Sequence, residues 1–197
     1  MIDAIKLGRL IAEEVINEPG PCFYPGKFKP PHKGHMKAAT ELASRNYVTS
    51  VTIIISRKPI DGITPEDSLT IWKMYLDAQP SPKIKVQIST QESPIVDIIR
   101  FMKMNPSIDP VYIAGGDDEI DDQNYMQSLP QEFHSRIKAL PVHEKDGQIS
   151  APFVRELLNS GDYEKFKETV PEAAFNRGAA PKIFRMLASK ITNEPKQ

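Results

Sequence analysis

Residues 22–35 read Cys22-Phe23-Tyr24-Pro25-Gly26-Lys27-Phe28-Lys29-Pro30-Pro31-His32-Lys33-Gly34-His35. The three apolar residues at the start suit a strand, the glycine and prolines suit a turn, and residues 36–46 have helical composition. The stretch therefore predicts a strand, a tight turn and a helix in direct succession. Because the first amide groups of a helix have no partner within the helix, such a turn favours phosphate binding, and Gly26 lets the backbone approach the ligand closely.

The same turn carries the side chains with the most distinctive chemistry in the chain. His32 and His35 are three residues apart on the first helical turn, so both can face an anion that rests there. Gly34 lies between them and leaves room for a base or a ribose. Lys27 and Lys29 alternate along the chain, and we expect them to lie on one side of it.

The rest of the chain alternates strand-like and helical segments. The run of β-branched residues at 48–56 is apolar enough to predict a strand buried on both faces. Alternation of this kind predicts an α/β fold: a Rossmann-like open parallel sheet of five strands with helices on both faces, whose ligand pocket lies beyond the carboxyl ends of the strands. Further strands are predicted at 84–88, 111–114 and 137–143, and helices at 65–78, 94–104, 121–136, 149–159, 162–169 and 181–191.

The chain divides into three predicted parts. Residues 1–19 are predicted to form an added N-terminal helix, since apolar residues recur there mostly three and four positions apart. Residues 20–171 are predicted to form the main domain. Residues 172–197 are predicted to form a C-terminal helix and tail that pack on the domain or trail from it. Pro141 is expected to shorten or interrupt the fifth strand.

Composition excludes several classes of protein. The 25 basic and 26 acidic residues give a formal net charge of -1, so a protein that binds nucleic acid non-specifically over its surface is not expected. Cys22 is the only cysteine among the 197 residues, which excludes an intrachain disulfide and a cysteine-rich zinc site. No apolar run approaches the length of a membrane span, and acidic residues interrupt the first seventeen positions. We expect a cytoplasmic protein without membrane or nucleic-acid partners; whether it forms a homo-oligomer stays open.

Two blocks of the sequence resemble a known family. Residues 26–35 fit the pattern G-x-F-x-P-x-H-x-G-H and resemble the HxGH signature of the nucleotidylyltransferase superfamily, which is cytidylyltransferase-like. The form with phenylalanine and proline is most similar to that of nicotinamide-mononucleotide adenylyltransferases, with Lys27 in place of their usual arginine. Residues 149–155 are similar to the family motif I-S-x-T-x-x-R, with Ser150 and Arg155 in register and Pro152 where threonine is usual. The resemblance covers about residues 22–171.

The resemblance implies a set of site residues and a reaction. The turn after the fourth strand, residues 115–118, would lie beside the histidine turn, because the first and fourth strands are neighbours in the related fold. The implied reaction moves a nucleotidyl group, AMP from ATP first of all, onto a phosphorylated small molecule such as nicotinamide mononucleotide. Mg²⁺ would arrive with the nucleotide, and no metal is expected to be held by the protein itself. The implied catalytic residues are His32, His35, Lys27 and Arg155, and the implied nucleotide-binding residues are Gly26, Phe28, Gly34, Gly115, Gly116, Asp117 and Ser150.

Several alternatives stay open from the sequence. The nearest alternative pairs CTP with an alcohol phosphate, and a second is a regulatory module that binds a nucleotide without turning it over. Which of Asp117 and Asp118 faces the site is open, and so is an approach of Arg57 and Lys58 to phosphates. A zinc site at the histidine pair is disfavoured because no third ligand accompanies it. Trp72 is expected to pack in the core.

Overall fold

The computed structural model describes residues 18–116, 129–142 and 149–191, and these contain one parallel sheet of five strands. The strand order β3-β2-β1-β4-β5 confirms the predicted open α/β sheet. All four neighbouring pairs run parallel. The strands are β1 (Gly20–Gly26), β2 (Val48–Ile55), β3 (Ile84–Ile88), β4 (Val111–Gly116) and β5 (Ile137–Val142).

The helices follow the strands closely in sequence. Two predicted helices, at 65–78 and 94–104, have the bounds expected of them, since each has proline in its first turn and a threonine or serine immediately before it. The short helix at 172–176 was not predicted. The helices are α1 (Lys33–Ser44), α2 (Pro65–Ala78), α3 (Pro94–Met104), a 3-10 helix (Gln131–Arg136), α4 (Ala151–Ser160), α5 (Tyr163–Lys167), α6 (Glu172–Asn176) and α7 (Ala179–Ile191).

The sheet has an apolar core on each face. Successive side chains of a strand point to opposite faces, so Cys22 and Tyr24 of β1 pack in one core and Phe23 packs in the other. The first core is closed by α1, α2, α4 and α7, and the second by α3 and the 3-10 helix. This confirms the prediction of helices on both faces. Trp72 lies in the first core with no exposed surface, as expected.

One sequence expectation about an element boundary is wrong. Pro141 does not interrupt the fifth strand, because β5 is at the edge of the sheet and proline needs no ladder partner on the open side. Helix α1 begins at Lys33, since extended backbone at His32 makes that residue the N-cap, and His35 lies on the first helical turn as expected.

The ends of the described chain bear on the remaining predictions. Helix α7 packs against α2, α4, α5 and α6, so the C-terminal helix lies on the main domain. Residues 1–17 of the N-terminal helix predicted at 1–19, the segment 121–128, His143 and the tail at 192–197 lie outside the described residues. Within the described ranges, no helix combines the length and apolar character that a bilayer crossing requires.

The topology fixes where a ligand site can form. Gly26 at the end of β1 is level with Ile55 of β2, which is level with Ile88 of β3, so three strands end along one edge. On its other side β1 pairs with β4, through Cys22 and Tyr112. The strands β2 and β3 therefore lie on one side of β1, and β4 and β5 lie on the other, so the strand order reverses between β1 and β4. This is the point at which open α/β sheets bind their ligands.

Candidate active site

Gly26 and Phe28 shape the start of the turn that joins β1 to α1. Phe28 has a positive φ of 50°, and its ring turns back so that a Cβ placed on Gly26 would lie 2.6 Å from Phe28 Cζ. Only glycine fits beneath that ring without movement. The Phe28 side chain is 3% exposed and makes edge-to-face contacts with Tyr24, His35 and Trp72. The two motif residues thus form part of the core that supports His35.

Lys29 is a fully buried lysine at the centre of this turn. Its Nζ donates hydrogen bonds to the carbonyl oxygens of Lys27 at 3.1 Å and of Ser56 at 2.8 Å. It therefore ties the turn to the residue that follows β2. Lys27 itself is exposed, so the expectation that the two lysines share one side is wrong. The left-handed backbone at Phe28 breaks the strand alternation on which that expectation rested.

The substitution Lys29→Met should change how stability depends on pH. Burial, opposed by the Glu66 carboxylate, lowers the pKa of Lys29 to about 8. An unfolded lysine titrates near pH ~10.4, so between the two pH values only the unfolded chain holds this proton. Wild-type stability should therefore rise relative to the variant from pH 8 upward, by about 1 kcal/mol or more, whereas below pH 8 the difference is constant. Urea unfolding of both proteins at pH 7 and pH 9.5 checks this, and parallel profiles would contradict it.

The two histidines of the motif are stacked at the N-terminus of α1. Their ring centroids are 3.7 Å apart, and the residues are 2% and 7% exposed. The backbone N–H of His32 donates to Nδ1 of His35 at 3.2 Å. Burial first, and the neighbouring His32 ring second, hold the pKa of His35 well below its ordinary value. His35 is therefore neutral near pH 7, with its proton on Nε2, where it can donate to a ligand.

The turn is held in place by contacts from three other parts of the chain. Tyr75 Oη on α2 donates to the carbonyl of Pro31 at 3.2 Å, and the N–H of Lys33 donates to the carbonyl of Thr169 at 2.8 Å. The N–H of Ser56 donates to the carbonyl of Gly26 at 2.9 Å. With two of its carbonyl groups and one N–H anchored in this way, the turn presents the histidine pair in one fixed geometry.

Arg155 reaches the same turn from α4. Its Nη1 donates to the carbonyl of Lys29 at 2.7 Å, three residues before His32. Its register is set by Ser150, which is the N-cap of α4 and accepts a hydrogen bond from the Phe153 N–H at 3.3 Å. The structure thus brings the guanidinium of the later motif onto the turn that carries His32 and His35. Ser150 contributes to this arrangement as a helix cap.

The glycines that follow Ala114 lie at the carboxyl end of β4, on the edge where β1 also ends. Gly115 is buried and pairs with Pro141, and Gly116 is half-buried. A Cβ on Gly116 would meet nothing within 4 Å among the described residues. Asp117 and Asp118 lie outside the described residues.

Comparison with solved structures bears on this arrangement. Two structures of the nicotinic acid mononucleotide adenylyltransferase of Plasmodium falciparum resemble the chain, one complexed with NaAD (TM-score 0.56, 15% identity) and one with APC (TM-score 0.59, 12% identity). Each match covers 85% of this chain and 98% of the other. The chain shares the fold of these two structures. No protein-family model matches the sequence, and no curated protein matches it significantly.

Two clefts on this chain have linings that include neither His32 nor His35. One, of about 370 Å³, runs along the outer side of α1 between Lys33 and Ser44. The other, of about 410 Å³, lies on the second face of the sheet beside Phe23 and Phe101. The residues of the two motifs meet instead at the turn between β1 and α1, where Arg155 bonds the Lys29 carbonyl.

Asp61 is a residue of this candidate site that the sequence did not reveal. Its Oδ2 accepts from Arg155 Nε at 2.5 Å, although the residues are far apart in sequence. Asp61-Gly62 is a dipeptide typical of a two-residue turn, and that signal predicts the turn without predicting its partner. Arg57 is exposed and donates to the Thr90 carbonyl at 3.5 Å, joining the ends of β2 and β3.

Proposed function

We propose that this protein is a nucleotidyltransferase that moves AMP from ATP onto a phosphorylated small molecule such as nicotinamide mononucleotide and releases pyrophosphate. One observation carries the proposal: two stacked, buried imidazoles lie at the N-terminus of α1, and a guanidinium is bonded to the turn that precedes them. Such a set of donors suits a triphosphate. The fold shared with nicotinic acid mononucleotide adenylyltransferases supports the same class of reaction.

The proposed reaction is an in-line displacement. A phosphate oxygen of the acceptor forms a bond to the α-phosphorus while the bond from that phosphorus to the pyrophosphate oxygen breaks, so no covalent enzyme intermediate is needed. Catalysis then rests on holding two anions together and on stabilising the negative charge that grows on the phosphate oxygens. A neutral His35 serves this purpose as a hydrogen-bond donor through Nε2, and His32 is proposed to donate beside it.

The cationic residues have distinct proposed roles. Arg155 has donors left over from its contact with Lys29 and is proposed to bind the triphosphate. Lys27 is exposed at the turn and is proposed to approach the phosphates as a mobile point charge. Gly115 and Gly116 are proposed to pass beside the nucleoside, and Asp117 is proposed as a nucleotide contact.

Mg²⁺ is proposed to arrive on the nucleotide. An ion of this kind would be bound by phosphate oxygens and water. When bound, the ion would neutralise charge on the triphosphate. The protein residues named above would bind and orient the anion.

Pyrophosphate release tests the proposal directly. The purified chain should be assayed with ATP or CTP in every pairing with nicotinamide mononucleotide, nicotinic acid mononucleotide and glycerol 3-phosphate, with magnesium present. We expect release that requires ATP together with one of the mononucleotides. Release only from CTP and glycerol 3-phosphate would replace adenylyl transfer by cytidylyl transfer. Nucleotide binding without release in any pairing would leave a non-catalytic binding module.

A further inference from the structure

Arg155 is held by two acceptors on opposite sides of its guanidinium. Nε donates to Asp61 Oδ2 at 2.5 Å, and Nη1 donates to the carbonyl of Lys29 at 2.7 Å. The guanidinium is a planar fork of five N–H donors, so two bonds in different directions fix both its position and its plane. The three N–H groups that remain have no hydrogen-bond partner among the described residues.

Asp61 is placed by a tight two-residue turn. The N–H and carbonyl groups of Ile60 and Ile63 bond to each other at 3.2 Å and 2.9 Å. Between them, Asp61 and Gly62 have φ values of 48° and 71°. Two left-handed residues between a bonded pair are the mark of a type I′ turn, in which aspartate and glycine are favoured. The carboxylate therefore projects from a short, well-defined backbone.

The C-terminal helix α7 packs against this turn. A Cβ on Gly62 would lie 3.1 Å from the carbonyl oxygen of Lys190, so the turn packs closely against the end of α7. Lys190 Nζ bonds both carboxylate oxygens of Asp67, at 2.8 Å and 2.7 Å. Asp67 in turn accepts from the backbone N–H of Thr64 at 2.9 Å, directly after the turn. A line of contacts thus runs from α7 through the turn to Arg155.

We propose that Asp61 is a positioning residue for Arg155, which it orients so that the remaining guanidinium donors face the triphosphate. The proposal rests on the proposed function, since it assigns the nucleotide as the ligand of Arg155. A carboxylate near a polyanion repels it, so charge alone predicts that removal of Asp61 would tighten nucleotide binding. A positioning role predicts that removal of Asp61 weakens nucleotide binding, so the direction of the change in affinity separates the two effects.

Two substitutions of Asp61 preserve the turn. Asp61→Gly removes the side chain and suits a positive φ, and Asp61→Asn keeps an acceptor oxygen and also tolerates the left-handed region. We expect D61G to weaken binding of ATP with magnesium about tenfold, the loss typical of one hydrogen bond to a charged group. D61N should restore binding to within about threefold of wild type, because its amide oxygen still accepts from Nε.

Titration of the full chain with ATP and magnesium tests this in wild type, D61G, D61N, R155Q and the D61G/R155Q double variant. If Asp61 acts through Arg155, D61G should have no further effect in the R155Q background. Glu164→Gln is the matched control, since it removes one partner of the exposed Lys167–Glu164 ion pair and should bind like wild type. Urea unfolding of each variant separates weak binding from a loss of folded protein.

The outcomes for Asp61 and for the proposed function are distinct. The Asp61 proposal is overturned if D61G binds as tightly as wild type or more tightly, or if its loss persists in the R155Q background. If wild type binds and R155Q binds weakly while D61G is unchanged, the Asp61 proposal alone fails. If wild type binds neither ATP nor CTP, the proposed function fails and the Asp61 proposal fails with it.

Discussion

Replacement of His35 by alanine should lower the turnover number by about 10²- to 10³-fold, the loss usual for one preorganised donor to a charged transition state. The neutral ring accepts from the His32 N–H at Nδ1, so its proton lies on Nε2, the atom proposed to donate to the reacting phosphate. The binding of ATP should weaken by less than about tenfold, because the proposed contact between Arg155 and the triphosphate is retained. Steady-state kinetics and nucleotide titration of the same preparation give both numbers.

A second substitution at this position separates a loss of catalysis from a loss of folded protein. His35→Asn places an amide oxygen near the position of Nδ1, so it can still accept from the His32 N–H, but it lacks a donor at the position of Nε2. It should fold like wild type and lose turnover like H35A. His134→Ala is the control, because His134 lies in the 3-10 helix and bonds the Leu129 carbonyl. Near-normal turnover in H35N would remove the assigned role of His35.

Replacement of Phe28 by alanine should lower the free energy of unfolding by about 3–5 kcal/mol. The ring is 3% exposed and meets Tyr24, His35 and Trp72 with ring centroids 5.1, 5.0 and 5.5 Å away. Truncation leaves a cavity beside the ring of His35, so turnover should fall as well.

Phe175→Ala supplies the comparison for Phe28. The Phe175 side chain is 41% exposed on α6, so its loss should cost far less stability, on the order of 1 kcal/mol or less. Urea unfolding curves of the two variants measure the difference. Equal destabilisation of the two proteins would show that the Phe28 ring does not support the turn as described.

The regular elements could be predicted closely because the sequence marks their ends. Helix α2 begins at Pro65, and Thr64 and Asp67 form a capping box that fixes its first turn. The dense β-branched run at 48–55 became β2, buried between β1 and β3. In each case the local pattern and the global sheet favour the same structure, which is the condition under which sequence-based prediction succeeds.

The parts of the site that escaped prediction depend on backbone reversals and distant contacts. Lys29 was expected beside Lys27, but the positive φ of Phe28 turns it inward to the Ser56 carbonyl. The contact between Asp61 and Arg155 joins a turn to a helix far away in sequence, and no local pattern connects the two. Gly26 was expected to let the backbone approach a ligand closely. In the structure, a side chain at this position would collide first with the Phe28 ring.

The central claim is that a triphosphate binds at the turn between β1 and α1. A crystal structure of the protein with magnesium and a non-hydrolysable ATP analogue tests it most directly. We predict phosphate oxygens within hydrogen-bonding distance, about 2.7–3.2 Å, of His32, His35 and Arg155. An analogue bound instead in the cleft beside Phe23 and Phe101, or phosphates out of reach of all three side chains, would contradict the account.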